Sequence, residues 1–217
     1  MPLNLHYETV SPLLRSILER LMKEDMFQTF RLIGGTGLSL QLGHRESDDI
    51  DLFTEVEYGT IDFEAIKNYL KGQFSYLETF DFGAIGHGKS YFVGESKDQC
   101  IKLDICYTDS FIRPILTMDE IRFAEIDDLM AMKIDVVGRG GRKKDFWDLH
   151  ELLNNYTISQ MLQLHQERYP YTHDRKEILN KFRKFEKADD DFDPVCLRGK
   201  YWELIKLDIV EALEGVG

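Results

Sequence analysis

Residues 31–53, RLIGGTGLSLQLGHRESDDIDLF, constrain the fold more than any other stretch of the chain. The pattern reads as a strand ended by Gly34 and Gly35, a short helix opening near Thr36, and a second strand with acids at alternate positions. Alternate side chains of a strand share a face. Asp49 and Asp51 therefore project together, while Ile50 and Leu52 enter the core. Two carboxylates so close repel each other, so one must have a raised pKa or a cation must lie between them. Oxygen-only ligands favour Mg²⁺ or Mn²⁺.

A second strand has the same design. In IKLDICY, Ile101, Leu103 and Ile105 share one face, and Lys102, Asp104 and Cys106 share the other. If the two strands are neighbours, Asp104 becomes a third carboxylate. Three acids that hold metal, with substrate phosphates completing the shell, form the two-metal arrangement of phosphoryl or nucleotidyl transfer. The glycine turn supplies the other half. Gly34 and Gly35 let a ligand approach the backbone. Thr36 adds a hydroxyl, and the helix start favours a phosphate. His44, Arg45 and Ser47 lie in the following loop, within reach of the same site. Arg45 is expected to organise the acidic strand, or to pair with Asp48 or Glu46.

The remaining elements surround this unit. SPLLRSILERLMKED is expected to be a helix with Ser11 as its N-cap and Leu14, Ile17, Leu18 and Leu21 as its apolar stripe. Thr60 is expected to cap IDFEAIKNYL. SYLETFDF, KSYFVGE and CIKLDICYT read as strands, with GAIGHGK as a turn between the first two. IRFAEI reads as a further strand. LMAMKIDVVGR reads as a helix capped by Asp127 or Asp128 and stopped by two glycines, and DFWDLHELLN as another. From Thr157 the chain reads helical, broken at YPYTH and DDDFDP. The order predicts an α/β (α+β) fold: a mixed β-sheet core flanked by helices over residues 1–126, and an α-helical C-terminal part over 127–217 packed on it.

Composition limits the setting. Of the 217 residues, 43% are hydrophobic and 12% aromatic, enough to bury a core. No apolar run approaches the roughly 20 residues of a membrane span. The first residues lack a basic segment followed by an apolar one, and the three cysteines have no ligand-like spacing. Both features point to a reducing, cytoplasmic setting with no membrane contact. The net charge of −12 repels nucleic acid, so an RNA contact would need a local basic patch. Residues 139–144 and 174–187 are the two candidates, though such charge runs are more often ordinary solvated helix or loop surface. No Ser/His/Asp or Cys/His nucleophile arrangement and no zinc spacing is present.

The quoted stretch GGTGLSLQLGHRESDDIDLF resembles the first motif of the DNA polymerase beta-like nucleotidyltransferase superfamily. More narrowly it looks like the AbiEii/AbiGii-type nucleotidyltransferases, many of which are toxins of toxin–antitoxin or abortive-infection systems. Downstream, DDLMAMKIDVVGRGGRKKDFWDLHELL is similar to the group's later motif. Lys133, Arg139, Asp145 and Asp148 fall at its matching positions, and Asp104 matches by strand context. The resemblance covers residues 30–153, and the helices after Thr157 carry no family signal.

It implies a nucleotidyltransferase-type sheet and Mg²⁺- or Mn²⁺-dependent transfer of NMP from an NTP to a hydroxyl of an RNA 3′ end, a protein or a small molecule, with an antitoxin as a possible partner. Asp49, Asp51 and Asp104 would hold metal. Gly34, Gly35, Thr36, Arg45 and Lys133 would bind nucleotide, and Lys133 and Asp145 would join the three acids as catalytic residues. Read without the family, Lys133 meets a phosphate, stays a surface lysine or pairs with Asp145, Asp145 is a helix-opening acid, and Asp148 pairs with Arg139 or Arg142. Two other classes stay open: a catalytically idle module that binds nucleotide or partner, and a metal-dependent nuclease.

Overall fold

The alternating stretches pair into one sheet. The computed structural model describes residues 4–81, 87–214 and 216. Its strands are β1 (Arg31–Leu32), β2 (Asp49–Thr54), β3 (Tyr76–Asp81), β4 (Gly88–Ser96), β5 (Gln99–Tyr107), β6 (Leu116–Met118) and β7 (Ile121–Phe123). They lie in the order β3-β4-β5-β2-β1-β7-β6. β2 and β5 are parallel neighbours, and their register sets Asp51 opposite Asp104 and Asp49 opposite Lys102. Ile50, Leu52, Leu103 and Ile105 are fully buried on the opposite face. The mixed α/β architecture is therefore the one that the hydrophobic alternation demands.

The helices are α1 (Pro12–Met22), α2 (Gly34–Leu42), α3 (Phe63–Gln73), α4 (Ile126–Gly138), α5 (Lys143–Leu152), α6 (Ile158–Arg168), α7 (Arg175–Lys181), α8 (Glu186–Asp189) and α9 (Trp202–Glu214). Ser11 caps α1, its side chain accepting the Leu14 N–H at 3.1 Å. Leu14, Ile17, Leu18 and Leu21 of α1, with Ile66 and Leu70 of α3, pack on the buried face of the sheet. A second core joins Ile33 and Leu38 at α2 to Leu129 and Ile134 of α4, Phe146 of α5 and Leu162 of α6. The contact is close: a Cβ on Gly37 would stand 3.2 Å from the Leu32 carbonyl oxygen and 3.5 Å from Leu129 Cδ1.

Several local expectations are corrected. The strand expected from FQTFRLIGG shrinks to two residues, because Asp25–Phe27 forms a 3₁₀ turn that buries Phe27. Thr60 does not cap α3. Asp62 does, accepting the Ala65 N–H at 2.9 Å, while Thr60 donates to the Glu57 carbonyl at 2.6 Å. Glu125 occupies the N-cap position of α4, and Asp127 and Asp128 fall in its first turn. Asp128 is buried and receives the Ile112 and Arg113 N–H groups and the Arg168 guanidinium instead. β6 (Leu116–Met118) was not anticipated. The expected turn GAIGHGK lies largely outside the described residues.

Candidate active site

β2, β5 and the start of α2 meet at a cavity of about 550 Å³. Gly34, Gly35, Asp49, Asp51, Asp104 and Lys133 all line it. Gly34 has φ +69°, in the region that side chains resist, and a Cβ there would overlap Asp51 Oδ2. Glycine at this point lets the helix start lie directly on the acidic strand. The first turn of α2 leaves backbone N–H groups without helical partners, which suits an anion.

The acids differ in environment. Burial, then the nearby Asp104 and Asp49, push the Asp51 carboxyl up to about 6, against the pull of Lys102 and Lys133. Asp104 accepts hydrogen bonds from Ser90 Oγ and Lys102 Nζ. Burial alone would lower Lys102, but Asp104, Asp49 and Asp51 hold it above its ordinary value. Asp49 is the most open of the three, 38% exposed, with Lys144 Nζ 3.7 Å away. The three carboxylates share one cavity, yet among the described residues no group of three or more His, Cys, Asp or Glu side chains is closed up as a metal cage. Lys102, two positions before Asp104 on the same face, donates to one Asp104 oxygen. The donor set is nonetheless all oxygen. The raised Asp51 marks an excess of negative charge that a divalent cation would relieve.

Two of the residues expected to meet nucleotide also have partners within the protein. The Thr36 side chain is 1% exposed. Its hydroxyl donates to the Asp49 carbonyl and lies 2.9 Å from Ser47 Oγ, so it ties α2 to the head of β2. Arg45 pairs with neither Asp48 nor the Glu46 carboxylate. Its Nε and Nη2 donate to Asp148 Oδ1 and Oδ2 at 2.6 and 2.9 Å, and Nη1 donates to the Glu46 carbonyl at 2.8 Å. Arg45 also lines the cavity and backs Gly35, where an added Cβ would overlap Nη2.

Lys133 has two anionic partners. Its Nζ lies 2.8 Å from Asp145 Oδ1 and 2.8 Å from Asp148 Oδ2. Burial works against its charge, but Asp148 and Asp145 outweigh it, so its pKa is raised. The other Asp145 oxygen accepts the Arg142 N–H at 2.9 Å and so caps α5. Both Asp145 oxygens thus have partners within the protein.

Asp148 is the residue that sequence reasoning placed wrongly. It pairs with neither Arg139, which binds Asp135, nor Arg142. It is fully buried and gathers His44, Arg45 and Lys133. Burial alone would raise its pKa, but Arg45, Lys133 and His44 hold it well below the ordinary carboxylate range. Its spacing three residues after Asp145 put both acids on one face of α5, which was the only signal available. Lys102 was also missed as a site residue, although its position two before Asp104 gave it the same face.

The chain matches the family described as nucleotidyl transferase AbiEii toxin, type IV TA system, over residues 16–214. It is 28% identical over 207 residues to the uncharacterized protein aq_aa25 of Aquifex aeolicus (strain VF5), covering 88% of this chain and 90% of that one. Two solved structures are similar in fold. JHP933 from Helicobacter pylori superposes with a TM-score of 0.57 at 17% identity, over 96% of this chain and 89% of that one. MenT4, a nucleotidyltransferase toxin from Mycobacterium tuberculosis H37Rv, gives 0.53 at 13% identity, over 93% and 84%.

Proposed function

The chain belongs to the AbiEii nucleotidyltransferase toxin family, and from that premise we propose that its cavity moves NMP from an NTP to a hydroxyl acceptor with Mg²⁺ or Mn²⁺. The type IV toxin–antitoxin description of the family supports an antitoxin as its counterpart. No described helix is long and apolar enough to cross a membrane. The proposed setting is the cytoplasm.

The observation that carries the reading is the convergence of unlike groups on one cavity: Asp49, Asp51 and Asp104, the Gly34–Gly35 helix start, and Lys133. Asp49 and Asp51 would hold the cation, joined by Asp104 once Lys102 yields its oxygen. When bound, such ions acidify an attacking hydroxyl and neutralise the triphosphate. The N–H groups of the α2 first turn receive the β- and γ-phosphate oxygens. Lys133, kept protonated by Asp145 and Asp148, faces the charge that grows on the leaving pyrophosphate. Asp145, Asp148 and Arg45 position these groups.

The test incubates the protein with each α-labelled NTP plus total RNA and total protein extract. Wild type is expected to attach label to one acceptor and release pyrophosphate in equal amount. The Asp49→Ala/Asp51→Ala double variant is expected to attach none while remaining folded. Transfer that survives in the double variant would reject this reading.

A further inference from the structure

The strand register lays a two-by-two grid of charges on the cavity face of the sheet. Asp49 of β2 stands opposite Lys102 of β5, and Asp51 stands opposite Asp104. Within each strand the two residues are two positions apart, so all four side chains leave the same face. All four line the cavity. The grid therefore holds three carboxylates and one ammonium, and the strand that brings the third acid brings the ammonium too.

Asp104 is the corner that this ammonium holds. On the other side of β5, Ser90 of β4 stands opposite Asp104. Ser90 Oγ donates to Asp104 Oδ1, and Lys102 Nζ donates to Oδ2. The two donors are not equally fixed. Ser90 is buried, and its neutral hydroxyl can stay on Oδ1 beside a cation bound at Oδ2. The Lys102 side chain is 36% exposed and ends a flexible four-carbon stem, so it is the partner able to leave. An ammonium and a divalent ion carry charge of the same sign and repel each other at that distance, so Oδ2 serves one of them at a time.

We propose that Lys102 is a tethered competitor for the divalent ion: ammonium and ion take Asp104 Oδ2 in turn, and this competition keeps the protein alone from loading metal tightly. The inference rests on the nucleotidyltransferase reading and adds a control of metal loading to it. The tether gives the ammonium a high local concentration that no free cation shares. Asp49 and Asp51 by themselves then offer the ion a partial site. Phosphate oxygens of a substrate supply the missing ligands, so metal is retained where a nucleotide is present. A phosphate also gives the displaced ammonium a new anion within the cavity that it lines.

The experiment titrates Mn²⁺ into nucleotide-free protein and reads free Mn²⁺ by electron paramagnetic resonance. It compares wild type with Lys102→Met, Asp104→Asn and Lys102→Met/Asp104→Asn, each checked for folding by circular dichroism. Lys102→Gln repeats the test should Lys102→Met fail to fold. Lys102→Met is expected to bind Mn²⁺ about tenfold more tightly, the scale of one charge-assisted hydrogen bond that no longer has to be broken. The gain should vanish in the Asp104→Asn background, the coupling that a double-mutant cycle isolates. Lys144→Met removes an equal charge beside Asp49 and is expected to give a smaller gain. Unchanged affinity in Lys102→Met, a gain that survives Asp104→Asn, or an equal gain in Lys144→Met would each overturn the proposal. Binding is read without turnover. Absence of label transfer alongside the expected Mn²⁺ affinities would therefore reject the catalytic reading and leave the competition standing.

Discussion

Arg45 and Asp148, 103 residues apart, form a fully buried two-pronged ion pair at 2.6 and 2.9 Å. The pair joins the loop before the acidic strand to α5. The same carboxylate holds Lys133 at 2.8 Å, so one aspartate braces both the acidic wall and the basic wall of the cavity. Removing it would leave two buried cations facing each other. We expect Asp148→Ala to lower unfolding free energy by about 3–5 kcal/mol, as for a broken buried pair, measured by urea denaturation. Arg45→Met/Asp148→Leu, which removes both charges from that pair, should lose less than Asp148→Ala alone.

Asp148 also sets an acid limb. Its pKa is depressed in the folded chain, so the folded state binds fewer protons than the unfolded one near the ordinary carboxylate range. The stability it contributes is complete above that range and is lost as pH falls through the folded value. In Asp148→Asn, unfolding free energy measured from pH 6 downward should fall less steeply than in wild type. An identical slope would remove Asp148 from the account.

Asp51 works in the opposite direction. Its folded pKa is raised to about 6, so the folded state holds its proton more tightly than the unfolded chain does. Ionisation therefore costs stability as pH rises through that value. Without added metal, Asp51→Asn should be more stable than wild type at pH 8 by about 1–3 kcal/mol, and the gap should narrow below pH 6. Nucleotide transfer should be lost in the same variant. A site acid whose removal stabilises the fold is the expected sign of strain kept for function.

Gly34→Ala tests the approach of α2 to the acids. The positive φ alone costs about 1–2 kcal/mol for a side chain, and the added carbon overlaps Asp51 Oδ2. Stability should drop by at least that amount in urea titrations, and NTP-dependent thermal stabilisation should shrink with it. Wild-type NTP binding by a folded Gly34→Ala protein would show that close approach is unnecessary.

Thr36 separates a positioning role from ligand contact. Thr36→Ser keeps the bond to the Asp49 carbonyl, whereas Thr36→Val removes it at a cost of about 1–2 kcal/mol. NTP affinity should be equal in wild type and Thr36→Ser. In Thr36→Val, transfer rate should fall further than NTP affinity, read from single-turnover kinetics. A loss confined to affinity would assign the hydroxyl to the nucleotide instead.

The sheet strands, the common face of Asp49 and Asp51, and the glycine-opened helix were legible in the sequence because each is a local property. A period of two decides which side chains share a face, and a missing Cβ decides where backbone can come close. Even so, β6 was missed and β1 proved only two residues long. The partners of Thr36, Arg45 and Asp148 were of another kind, whereas the Lys133–Asp145 pair was among the sequence expectations. A carboxylate's neighbours depend on which distant segments the fold brings within about 3 Å, and hydrogen bonding at that range leaves no trace in sequence spacing. Local periodicity was thus enough to determine the strands and their faces, while tertiary packing alone decided which charges meet, because Coulombic and hydrogen-bond partners are chosen by distance in space.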